Sequence, residues 1–168
     1  LINRFYEIQG GTVTGGQVDN TAGQFGGNIY LEGTTAGLIL SGGTIEAGTA
    51  PAGGNIATYQ APITMTGGII KDGQNNYSTG SYGGGGNLFL FAAPANVSGG
   101  TIENGNSNIQ AGNIYARNAE AIITLSGNAA ITGGYAKYDG GSIMLFNWAK
   151  LDLQSGTVTD GTVGRNAP

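Results

Sequence analysis

The sequence predicts an all-β chain wound as a single-stranded parallel β-helix, a β-solenoid of about six coils with three short strands per coil. Two recurring strings carry that expectation. The first is an apolar alternation running into Gly-Gly, as in Leu38-Ile39-Leu40-Ser41-Gly42-Gly43-Thr44-Ile45, with copies starting at Tyr6, Ile63 and Ala95 and looser ones at Ile123 and Leu151. The second is Gly-Asn followed by Ile or Leu, with Gly-Ser in the last copy, whose apolar residue recurs at Ile29, Ile56, Leu88, Ile114 and Ile143, at intervals of 27, 32, 26 and 29 residues. A third observation is negative: no segment carries a 3.6-residue apolar stripe, so helices are not expected. Propeller blades need repeats of about 40–45 residues, and two-residue hairpin signals are scarce.

Each element of the coil follows from local chemistry. The first strand alternates, so Tyr6, Leu38, Ile63, Ala95, Ile123 and Leu151 point inward, as do Ile8, Leu40, Met65, Val97, Leu125 and Leu153. A Gly-Gly bend follows, because a tight corner needs backbone that only glycine adopts freely. The second strand places Val13, Ile45, Ile70, Ile102, Ile131 and Val158 inward, and a glycine closes it at Gly16, Gly48, Gly73, Gly105, Gly134 and Gly161. The repeat length varies mainly in the loop after that glycine, longest at residues 74–84 with Tyr77 and Tyr82. The third strand is predicted to turn in Ile29 and Leu31, Ile56 and Thr58, Leu88 and Leu90, Ile114 and Ala116, Ile143 and Leu145. One extra residue at Ala129 or Ala130 predicts a local bulge in the fifth coil.

Composition narrows the function. Thirty-four glycines occur without the three-residue period of collagen, and an apolar share of 39% in regular positions excludes a disordered linker. A net charge of −4 with no basic run excludes a nucleic-acid surface. The absence of cysteine and histidine removes thiol chemistry, disulfides and the commonest metal ligand and general base. No apolar run approaches the ~20 residues of a membrane span. The ten carboxylates are spread along the coils, with Asp139 and Asp152 the one late pair, and no phosphate-loop, calcium-loop or nucleophile motif is present. No catalytic residue, metal or cofactor is therefore expected, and a polysaccharide lyase or hydrolase is the least favoured reading.

The strings Met65-Thr66-Gly67-Gly68-Ile69-Ile70 and Val97-Ser98-Gly99-Gly100-Thr101-Ile102, each followed by Gly-Asn-Ile or a near copy, resemble the Gly-rich β-helix repeats of bacterial surface proteins of the polymorphic outer-membrane and adhesin-like kind. The resemblance covers nearly the whole chain. It implies a right-handed parallel β-helix at the cell surface or outside the cell, and implies no particular activity.

Four sets of residues stand out. Asn28, Asn55, Asn87 and Asn113, with Ser142 in fifth place, form a column that is expected to be a structural amide ladder at a corner, where asparagine tolerates left-handed backbone. Thr12, Thr44, Thr101 and Thr157 form another, but Ile69 and an alanine interrupt it, which argues against an ice-binding array. Glu46, Lys71 and Glu103 alternate in sign on successive coils and are expected to support register. Alternation in the third strand turns Tyr30, Tyr59, Phe89, Phe91, Tyr115, Met144 and Phe146 outward, with Trp148 just beyond. Such a stripe predicts either contact with glycans, a host surface or another protein, or cover by the loop at residues 74–84.

The whole chain, residues 1–168, is expected to be one repeat domain and a segment of something longer. Neither end shows a capping helix, and the last repeat lacks its Gly-Asn-Ile strand. Self-association end to end is the expected partnership, with residues 1–5 of a following copy supplying part of the missing strand.

Overall fold

The apolar alternation and the glycine corners wind the chain into a parallel β-solenoid, seen in a computed structural model that describes residues 4–19, 23–77 and 83–164. Every pairing between strands is parallel and joins one coil to the next. Four sheets result, two of six strands and two of five. We number them I to IV in the order a full coil, such as that beginning at Ala36, visits them. Sheet I runs from Arg4–Ile8 to Lys150–Leu153, and sheet II from Thr12–Thr14 to Thr157–Thr159. Sheet III runs from Thr49–Ala50 to Thr162–Val163, and sheet IV from Ile29–Glu32 to Ile143–Phe146.

Sheet III corrects the expectation of three strands per coil. Its strands are two residues long and open the segment read from the sequence as a variable loop. Two residues give no periodicity to detect, and the inward column Ala50, Asn75, Ser107, Ala136 mixes small and polar side chains. Length variation is largest in the stretch between sheet III and sheet IV, where Asn75 to Leu88 is the longest connection.

The core follows the predicted alternation. Leu38, Leu40, Ile45, Ile56, Met65, Ile70, Leu88, Ile102, Ile114 and Ile131 belong to one continuous buried cluster. Like stacks on like in each column, so burial of ~25 cal/mol per Å² repeats on every coil. The extra residue near Ala129 makes no bulge. Ala130, Ile131 and Thr132 pair in register on both sides, and a turn closed by the Ala129 amide donating to the Ser126 carbonyl absorbs it.

A second feature positions the candidate site. The glycines that end sheet II and those that precede the Asn column meet backbone to backbone. A Cβ on Gly48 would lie 2.3 Å from the Gly54 carbonyl oxygen, and one on Gly54 would lie 2.3 Å from both the Gln74 nitrogen and the Gly86 oxygen. This pinch separates the main core from a smaller cluster of Ala52, Ala57, Phe89, Ala111 and Tyr115, which lies on the outer side of sheet IV.

The ends also differ in part from expectation. Arg4 and Phe5 belong to the first strand of sheet I and pair with Ala36 and Gly37 of the next coil, so they are not free to complete sheet IV of a neighbour. Residues 1–3, Tyr82 and residues 165–168, which figured in the expected joint and the expected loop cover, lie outside the described residues.

Candidate functional site: the outer face of sheet IV

Along sheet IV, outward positions form two columns, set by the pairing of successive strands. One reads Tyr30, Ala57, Phe89, Tyr115, Met144, and the other Glu32, Tyr59, Phe91, Arg117, Phe146. All the predicted aromatic positions therefore lie outside the main core. They are not uniformly open. Phe89 is 5% and Tyr115 1% exposed, so part of the stripe is covered, one of the two outcomes the sequence left open. Phe91 and Met144 are half-buried, Tyr30, Tyr59 and Phe146 are exposed, and Trp148 stands 81% exposed in the turn after the last sheet IV strand.

The cover comes from the segments that lead into sheet IV. Ala52 and Ala111 pack against the two buried rings. Gly84 lies so close to Tyr115 that a Cβ there would meet its ring at 2.7 Å. The Tyr77 ring lies against Gly83.

Sequence reasoning missed two members of this surface. Phe25 stacks on Tyr30 at 5.8 Å and on Phe89 at 5.7 Å, filling the notch that Ala57 leaves in the first column. An alanine in an otherwise large column, one coil away from a lone aromatic in a loop, was the available signal. Arg117 fills the equivalent place in the second column, with its guanidinium 5.8 Å from the Phe91 centroid and 5.3 Å from that of Phe146. The rings otherwise stack on one another. Tyr59 and Phe91 are 4.7 Å apart at 10°, and Phe89 and Tyr115 are 5.6 Å apart at 5°.

That stacking decides what the face can do. A pyranose between two rings needs roughly 7 Å or more of centroid separation, because carbon contacts optimise at about 3.5–4.0 Å on each side. Rings at 4.7–5.7 Å have spent those faces on each other. Open ring faces remain only where a column is interrupted or ends. One such place is a groove of about 270 Å³ lined by Phe25, Tyr30, Glu32, Tyr59, Phe89 and Phe91. There the Tyr30 hydroxyl donates to Glu32 at 3.3 Å. Burial, and then the Glu32 carboxylate, push the Tyr30 phenol above its ordinary range. Burial also raises Tyr115, against a smaller lowering by Arg117.

The Asn column is a hydrogen-bonded ladder. The Asn28 amide donates to Asn55 Oδ1, Asn55 to Asn87 Oδ1, and Asn87 to Asn113 Oδ1, each at 2.8 Å. The second N–H of each donates to a sheet II carbonyl, those of Glu46, Lys71, Glu103 and Thr132 in turn. Each Oδ1 also accepts from the glycine amide at the pinch, Gly16, Gly48, Gly73 or Gly105. With the three inner amides fully buried and so engaged, no face is left for a ligand. The left-handed residue is not the asparagine, as expected, but the one two positions before it: Gly26, Gly53, Gly85, Ala111 and Gly140 all have positive φ. The amide was chosen for its two-donor, two-acceptor pattern rather than for its backbone tolerance.

Of the charged column, Lys71 pairs with Glu46 at 3.2 Å and with Asp72 at 3.7 Å, and its ammonium is held above its usual range first by the bond to Glu46. Among the described residues no group of three or more acidic, histidine or cysteine side chains is gathered that could hold a metal. Comparison with protein families, with curated proteins and with solved structures returned no match.

Proposed function

We propose that this chain is a non-enzymatic extracellular or cell-surface β-solenoid, structural or adhesive, that continues coil on coil through its ends as a stalk or fibre. The observation that carries the reading is the contrast between inner and outer coils of the same columns. Leu40 and Leu125 are fully buried, while Leu153 in that column is 53% exposed. Ala136 is fully buried and Val163 above it is exposed, and Tyr6 is exposed where Leu38 is not. At the first coil the interior opens as a cavity of about 500 Å³ walled by Tyr6, Ile8, Ile29, Leu31 and Leu38. Open rows of peptide groups over an apolar core invite another strand layer, from a longer chain or from a second copy.

Sedimentation equilibrium and electron microscopy of the 168-residue chain test this. The expected result is a mass that rises with concentration and rods that lengthen, with both effects lost on Leu153→Lys with Val158→Lys. Those two side chains are exposed, so the coils beneath stay folded. A monomer at every concentration whose two outer coils resist hydrogen exchange would sink the reading.

A further inference from the structure

We infer that the groove at Tyr59 and Glu32 is a receptor for a guanidinium group, an arginine side chain presented by a partner protein. The chain itself shows what its second outward column accepts. Between Phe91 and Phe146 that column carries no ring; it carries Arg117, whose guanidinium sits within cation–π distance of both neighbours. Three coils before Arg117 the same column begins without a ring, at Glu32. Phe91 occupies one face of Tyr59. The other face turns toward the Glu32 rung, and among the described residues no ring stacks on it.

Glu32 is exposed and its bond from the Tyr30 hydroxyl is long at 3.3 Å, so its carboxylate retains acceptor capacity. A planar cation laid on Tyr59 would gain the ring and a charge-assisted bond to Glu32 together. Phe25, Phe89 and Phe91 supply apolar walls beside the exposed Tyr59 ring. Lysine offers no plane to stack, and a neutral sugar leaves the carboxylate without a countercharge. The net charge of −4 favours approach of a basic partner.

Nα-acetyl-arginine methylamide is the probe, and its citrulline analogue, equal in shape and uncharged, is the control. Ring resonances of Tyr59, Phe91 and Phe146 are followed by NMR during titration. The arginine probe is expected to shift Tyr59 and Phe91 with saturation in the millimolar range, to leave Phe146 unmoved, and to bind about tenfold more tightly than the control. Glu32→Gln, at an exposed position, is expected to remove most of that preference. Equal binding of the two probes, no saturable shift, or an unchanged preference in Glu32→Gln would each overturn the assignment. So would a neutral hexose that shifts the same rings at lower concentration than the arginine probe. None of these results depends on end-to-end association.

Discussion

At the scale of single residues, the interior of the solenoid tolerates few polar atoms, and the exceptions are informative. Thr58 occupies an inward column between Leu31 and Leu90, is buried, and its hydroxyl has no partner. Thr58→Val keeps the shape and removes that atom, so it is expected to raise stability by about 1–2 kcal/mol in denaturant titration. The inward direction of Thr58 was readable from alternation, but its missing partner was not, because that depends on what the neighbouring coils bring. Tyr115 supplies the pH counterpart. Its folded phenol titrates above the ordinary 10.0 because burial disfavours the phenolate. The neutral form is therefore favoured by folding, and the stabilisation it brings is intact below pH 10 and lost as pH rises through the raised value. Chemical denaturation across pH 9–12 should show this alkaline loss, and Tyr115→Phe should diminish it.

At the scale of the element, the ladder and the pinch hold the coil closed. Asn87 donates to Glu103 O and Asn113 Oδ1 and accepts from the Gly73 and Asn55 nitrogens, all while buried. Asn87→Ala strands those groups and is expected to cost about 3 kcal/mol or more, whereas Asn28→Ala, half-buried at the end of the ladder, should cost less. The opposite change is available in the fifth coil. Ser142 stands where a fifth amide would, and its hydroxyl reaches only Thr159 O at 3.5 Å. Ser142→Asn adds acceptors for the Gly134 and Asn113 nitrogens and a donor to Thr159 O, and is expected to raise the midpoint of thermal unfolding. The recurrence of Gly-Asn-Ile announced the column, and its spacing announced the stacking. What recurrence could not announce was sheet III, whose two-residue strands are defined by pairing with neighbours rather than by any pattern of their own. It also could not announce that the loop carrying Phe25 returns to the surface of sheet IV, since one aromatic in one loop repeats nothing.

At the scale of the whole molecule, the parallel order of every strand gives the solenoid a direction, and so does the ladder, in which each amide donates toward the C-terminal end. A joint that extends the sheets with parallel pairing must therefore be head to tail. An interface of that kind would be heterologous and would not close on itself unless the rotation per copy completed a ring, so an open filament is the expected product. In that arrangement Asp152 of one copy comes beside Glu7 of the next, because both lie in one outward column of sheet I. Like charges one strand apart oppose the joint, so added salt is expected to promote assembly. Direction can be tested without high-resolution data, since the chain contains no cysteine of its own. Thr12 and Thr157 are exposed and share an outward column of sheet II. In a head-to-tail stack they become neighbours at the strand spacing of ~4.8 Å, inside the Cα range of a disulfide, roughly 4.4–6.8 Å. A mixture of Thr12→Cys and Thr157→Cys chains should form mixed dimers under mild oxidation, and each variant alone should not. Efficient dimers of Thr157→Cys with itself would instead mean that the tail faces meet each other, and the directional joint would have to be abandoned.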